Sequence, residues 1–228
     1  MAALSIKLNL QHRSYLRDPE STELGRKIID HSIRLIDELG FEQFTFRKLA
    51  IAIGSAEASI YRYFENKHKM LVYLVSWYRA WVNYRITLET HNIPDPHERL
   101  QRAIDVISSS YKNDPATSHI DEAALYRIVI LDASKAYLTK EVDADNKEGY
   151  FMEYKRLCGH VADMVLELNP DYPYPHAIIS TVLEAAHQQV FFAQHLPSLT
   201  DIHAHPQPEV KASEFLKHLL NSAISFKQ

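Results

Sequence analysis

The stretch GSAEASIYRYFENKHKM, residues 54–70, crowds Tyr61, Tyr63 and Phe64 into one turn around Arg62, with Lys67 and Lys69 just beyond. Phenol hydroxyls, guanidinium and ammonium groups are the donors that phosphate oxygens accept from, and cationic donors make the stronger bonds. A short segment carrying all three, with Thr45 and Arg47 slightly upstream, has the side chains of a polyanion-binding surface.

Other chemistries have less behind them. The chain has 13 His, and His195, Asp201, His203 and His205 fall close together. Imidazoles one residue apart can share a metal ion, but no His-Glu-x-x-His pattern occurs and Pro-rich loops often carry solvated His, so no metal is expected. Cys158 is the only cysteine, which removes an internal disulfide and any cysteine-based metal cluster. There is no nucleophile elbow and no phosphate-cradling glycine loop, and with only five Gly the backbone has little freedom for one. Neither an enzyme nor a cofactor is expected.

Composition bounds the rest. At 228 residues and 46% apolar, the chain can bury a proper core. The net charge of −4 is uneven: residues 1–70 hold 11 Lys+Arg against 9 Asp+Glu, and the remainder 14 against 20. A nucleic-acid surface must therefore be local and near the amino terminus. The first ten residues lack a basic leader, and no segment approaches the roughly 20 apolar residues of a membrane span, so a cytoplasmic, non-membrane protein is expected.

The surface needs elements to hold it. Pro marks boundaries at Pro94, Pro96, Pro115, Pro170, Pro173, Pro175, Pro197, Pro206 and Pro208, with long Pro-free stretches between. Inside these, apolar residues recur at three and four, which predicts an all-α chain of about nine helices. Their predicted ranges are 22–39, 45–53, 56–63, 67–91, 97–112, 119–136, 143–168, 176–195 and 209–226. Only SIKLNL, residues 5–10, alternates like a strand. Gly40 is a plausible stop for the first helix and Thr45 a natural cap for the second. Gly54 then separates two very short helices, a helix-turn-helix pattern. Such helices are marginal alone and must be held from behind by Phe44, Leu49, Ile53, Ile60 and Phe64. This leaves Glu57, Ser59, Tyr61, Arg62 and Tyr63 distributed around the free side.

GFEQFTFRKLAIAIGSAEASIYRYFENKHKML, residues 40–71, resembles the DNA-binding segment of TetR-family transcriptional regulators. The shared features are the Gly-Phe lead-in, Thr45 with Arg47, Leu49-Ala50, Gly54, Ile60-Tyr61, Tyr63-Phe64 and Lys67; counting the first helix, about 50 residues are covered. The resemblance implies phosphate contacts from Thr45, Arg47, Tyr61, Tyr63 and Lys67, and base contacts from Ser55, Glu57, Ala58, Ser59 and Arg62 in the major groove. The chain departs from the family at Ser55-Ala56, at Ala58 where Gly is common, and at Glu57, where small or basic residues are usual. An acid there can accept from a cytosine N4 amino group or complement the helix amino terminus, and the sequence leaves both open.

The resemblance further implies a DNA-binding domain over 1–66 and an effector-binding and dimerisation domain over 67–228. It implies a pocket for a small, mostly apolar effector, with Trp77, Trp81, Tyr111, Tyr126, Tyr154 and Phe191 as candidate lining. It places a homodimer face on the helices at 176–195 and 209–226, and makes a ligand-released repressor of a palindromic operator the expected function. The competing reading is a hydrophobic-ligand carrier or an enzyme on the same scaffold. The arm at residues 1–20, with Lys7, Arg13 and Arg17, is expected to be an extension, with minor-groove or phosphate contact as the other possibility.

Overall fold

A computed structural model describes residues 14–109, 120–202 and 206–224. Among these residues the fold is all-α, with ten α-helices and no strand. In order they are α1 Glu23–Leu39, α2 Phe46–Ile53, α3 Glu57–Tyr61, α4 Lys67–Thr90, α5 Pro96–Ser108, α6 Glu122–Asp132, α7 Val142–Lys147, α8 Met152–Leu168, α9 Pro175–His195 and α10 Pro208–Ile224. The strand-like SIKLNL lies outside the described residues.

The helix signals of the sequence are local hydrogen bonds here. Thr22 Oγ1 accepts the Gly25 N–H at 2.9 Å to open α1, and Gly40, at φ 77°, closes it. Thr45 Oγ1 accepts the Lys48 N–H at 3.2 Å to open α2, and Gly54 closes it in the left-handed region at φ 65°, ψ 41°. Only a residue without Cβ takes that conformation at little cost, and it sets the sharp turn into α3. The expected single helix over 143–168 is instead two, α7 and α8. Gly149, at φ 82°, sits in the break, so an uninterrupted helical pattern in the sequence is cut by one left-handed residue.

The chain forms two compact units. The first comprises Met1–Arg79 and Tyr111–Glu153, and the second Ala80–Ser110 and Tyr154–Gln228. In the first, α1 packs against α2 and α6, and α2 against α3, around fully buried Ile28, Ile29, Ile33, Phe44, Leu49, Ile60 and Phe64. Two ties fasten the end of α1 and the loop after it to the α6 region. Arg127 holds Asp37 through both carboxylate oxygens, at 2.8 and 2.6 Å, and Lys135 Nζ lies 2.8 Å from Glu42 Oε1. A third fastens the first turn of α4 to α7: Lys69 Nζ lies 2.5 Å and His68 Nε2 3.4 Å from the buried carboxylate of Asp145.

In the second unit, α10 packs on α9 and α5. The apolar stripes bury Ile179, Val182, Ala186 and Val190 on α9, and Ala212, Leu216, Leu220 and Ile224 on α10. Within the same unit, His160 Nδ1 lies 2.7 Å from Asn83 Oδ1. Burial holds the His160 pKa below the ordinary imidazole value, against a smaller upward pull from Asp163. The unfolded chain protonates this His near about pH 6.5 while the folded one resists. Its contribution is therefore complete above that pH and is lost as pH falls below it toward the folded value. The His160→Gln variant is accordingly expected to lose less melting temperature between pH 7.5 and 5.5 than the parent, with equal loss in both removing this account.

Candidate nucleic-acid interface

The two short helices are held from behind as their apolar side chains require. Phe44, Leu49, Ile60 and Phe64 are wholly buried and Ile53 nearly so, and Phe46 at the start of α2 also turns inward, edge-on to Phe44. Arg47 on α2, and Ala58, Tyr61 and Arg62 on and just after α3, are exposed; Ser55, Glu57 and Ser59 are half-buried. Thr45 is exposed, and accepting the cap bond leaves its hydroxyl hydrogen free to donate. Among the described residues Arg47 and Arg62 have no hydrogen-bond or ion-pair partner, so two guanidinium groups project from the helix-turn-helix uncommitted.

Three expected site residues are already engaged within the protein. Tyr63, expected on the outer side, is only 2% exposed. The helical count that placed it outside stops applying because α3 ends at Tyr61, and the N–H groups of Tyr63 and Phe64 both turn back to Ile60 O. The Tyr63 hydroxyl lies 2.7 Å from Thr22 Oγ1, its carbonyl accepts the Leu16 N–H at 2.7 Å, and the Arg17 guanidinium sits 5.5 Å from its ring centroid. Tyr63 thus fastens the amino-terminal segment to the cap of α1.

The Lys67 ammonium donates to the carbonyls of Phe41, Glu42 and Phe44 at 3.0, 3.1 and 3.4 Å and lies 4.7 Å from the Phe41 ring centroid. A single cation thereby gathers the loop between α1 and α2. Asn66 Oδ1 accepts the Lys69 N–H at 2.9 Å, so one of the free N–H groups at the start of α4 is also occupied. Tyr61 is 47% exposed, its ring edge-on to Phe46 at 5.1 Å, and its hydroxyl donates to Glu57 Oε1 at the long distance of 3.4 Å.

The candidate effector residues fall in both units. In the first, Trp77 and Tyr126 are buried, and the Tyr126 ring lies 6.3 Å from that of Tyr78. In the second, Trp81 is buried under the Arg85 guanidinium, and Phe191 lies 4.7 Å from the His195 ring. Tyr154, also in the second, donates to Glu184 Oε1 at 2.5 Å and lines an open cavity of about 630 Å³ with Cys158, His176, Ala177 and Ser180. Tyr111, His203 and His205 lie outside the described residues. No group of three or more His, Cys, Asp and Glu among the described residues could hold a metal ion. No described helix is long and apolar enough to cross a membrane.

Sequence reasoning missed Asp37, Glu42, Arg127, Lys135 and Asp145, which brace the helix-turn-helix and the start of α4. Partners about 76 to 93 residues apart leave no periodic signal.

Residues 28–74 match the family described as bacterial regulatory proteins, tetR family. The chain is 31% identical over 105 residues to the nucleoid occlusion factor SlmA of Mannheimia succiniciproducens, a match covering 39% of this chain and 49% of that protein. The chain thus spans about half the length of that relative. Its fold is similar to the fatty acid degradation regulator FadR from Bacillus halodurans, with a TM-score of 0.61 at 16% identity over 88% of this chain and 96% of that one. It is also similar to AibR, solved with isovaleryl coenzyme A and operator DNA, with a TM-score of 0.56 at 15% identity over 85% and 97%. Residues 28–74 thus carry a tetR-type helix-turn-helix, in a chain whose all-α fold is similar to that of solved regulators.

Proposed function

We propose that this protein is a ligand-responsive repressor that grips a palindromic operator as a homodimer and is released by a small, mostly apolar effector. The observation that carries this reading is the pair of uncommitted guanidinium groups, Arg47 and Arg62, projecting from a helix-turn-helix whose apolar side is fully packed. In this reading Thr45 and Arg47 contact phosphates. The outer side of α3, with Ser55, Glu57, Ala58, Ser59 and Arg62, lies in the major groove. Tyr61, Tyr63 and Lys67, whose polar groups are engaged, keep that surface in shape.

The functional division into a DNA-binding part over 1–66 and an effector and dimer part over 67–228 belongs to the same proposal, as does a cytoplasmic location. Support for an effector comes from the aromatic side chains of α4, α6, α8 and α9, and from AibR, a similar fold solved with an acyl coenzyme A and operator DNA. Dimerisation through α9 and α10 is part of the proposal, and its support lies on α10, where Val210 and Phe215 stay 47% and 42% exposed after the inner stripe is buried. Two such copies would set their recognition helices about 34–36 Å apart, one turn of duplex. An effector that prefers a different spacing need supply only about 1–3 kcal/mol of coupling for a 5- to 150-fold loss of operator affinity.

The deciding experiment is selection of bound duplexes from a random pool at low ionic strength. Retained palindromes with half-sites about one helical turn apart support the reading, and a protein that retains no duplex removes it. On the selected duplex, Arg47→Ala is expected to weaken binding and reduce the slope of log affinity against log salt by about 1. An unchanged slope would take Arg47 off the phosphate backbone.

A further inference from the structure

We propose that Glu57 is the cytosine-reading residue of this protein, its carboxylate accepting from an exocyclic N4 amino group in the major groove. The inference rests on the DNA-binding reading above and goes beyond it, because it assigns a base to a side chain. Glu57 is the first residue of α3 and is half-buried. Its Oε1 accepts from the Tyr61 hydroxyl one turn later, and the Tyr61 ring is fixed by the buried Phe46. The carboxylate is thus leaned along the outer side of α3 by an anchored phenol, with its second oxygen left to accept.

Two features make a base donor the partner that this carboxylate needs. Among the described residues no cation pairs with Glu57, so a full negative charge stands on the side of the helix-turn-helix that would meet a polyanion. Opposed only by phosphates, it would repel. The competing account, that Glu57 complements the helix amino terminus, loses weight because α3 is only five residues long. Few aligned peptide dipoles sum over a helix of that length.

A carboxylate is acceptor-only and needs a donor. The major groove presents two exocyclic amino donors, N6 of adenine and N4 of cytosine. Adenine places its N7 acceptor beside N6, where it would face the carboxylate lone pairs, whereas cytosine has only a C–H beside N4. The acid therefore selects cytosine, and Tyr61 positions it.

The test is selection from a random duplex pool by the full chain, compared with Glu57→Ala, Glu57→Gln and Tyr61→Phe. The melting temperature of each variant confirms folding. The parent is expected to select a cytosine at one position of each half-site. Glu57→Ala should lose roughly tenfold discrimination at that position alone. Glu57→Gln should shift the preference there toward adenine, since an amide can accept from N6 while donating to N7. Tyr61→Phe should keep cytosine with weaker discrimination. If Glu57→Ala and Glu57→Gln return the parent's base at every position, the inference fails while the DNA-binding reading stands. If the parent retains no duplex, both fall.

Discussion

Replacing Asp145 by Ala is expected to destabilise the protein by roughly 2–4 kcal/mol, because it removes the one carboxylate between two basic side chains. Asp145 is 4% exposed, with Lys69 Nζ at 2.5 Å and His68 Nε2 at 3.4 Å. Taking one member from a buried ion pair leaves the other charge without its counterpart, which costs more than the pair contributes when intact. Lys69 retains 16% exposure and can bend its stem toward water, which keeps the loss toward the lower part of the range. Its ammonium also lies 4.0 Å from the Tyr150 ring centroid, a contact that survives the substitution. Asp145→Asn keeps the shape and one acceptor, so it should lose about half as much. Urea unfolding midpoints measure both, and a midpoint for Asp145→Ala within error of the parent would sink the assignment.

Gly25→Ala is expected to lose about 1–3 kcal/mol, against the usual direction for such a change in a helix. Ala is the better helix former by about 1 kcal/mol, so with open space around it the substitution should be neutral or stabilising. A Cβ at Gly25 would instead lie 2.1 Å from the Pro19 carbonyl oxygen and 2.6 Å from its Cα. Both are backbone atoms of the short 3₁₀ turn Pro19–Ser21 that packs against α1, and neither can rotate away as a side-chain tip would. Either the turn lifts from α1 or the helix start shifts, and both disturb Thr22, which caps α1 and holds the Tyr63 hydroxyl. A thermal melt decides it: an unchanged or higher midpoint would mean that the turn does not sit on Gly25.

How much of this could be read in the sequence divides along a physical line. The caps at Thr45, Gly40 and Gly54 were legible because each acts within four residues, and so was the burial of Phe44, Leu49, Ile60 and Phe64, which follows helical spacing. The inward turn of Tyr63 was not legible, since the periodicity that placed it outside ends with α3 two residues earlier. The division of 143–168 at Gly149 was missed because a lone Gly in a helical pattern is read as tolerated unless its φ is known. At the candidate interface the residue types were legible but their engagement was not. Nothing near Lys67 in the sequence signals that its ammonium is taken by three carbonyls 23 to 26 residues away.

The grip of Arg127 on Asp37 is the feature with the widest consequence. It joins α6 to the end of α1, the helix on which α2 packs, yet Arg127 remains 55% exposed to water. An ion pair so wet is worth about 0–1 kcal/mol, and its neighbour Lys135–Glu42 is equally open to solvent. Such a mount orients its load without locking it. A buried clamp would hold the head rigid and deaf to anything happening elsewhere in the chain. Links this soft yield to disturbances near thermal energy, so the end of α1 can shift against α6 without the ion pairs opposing it.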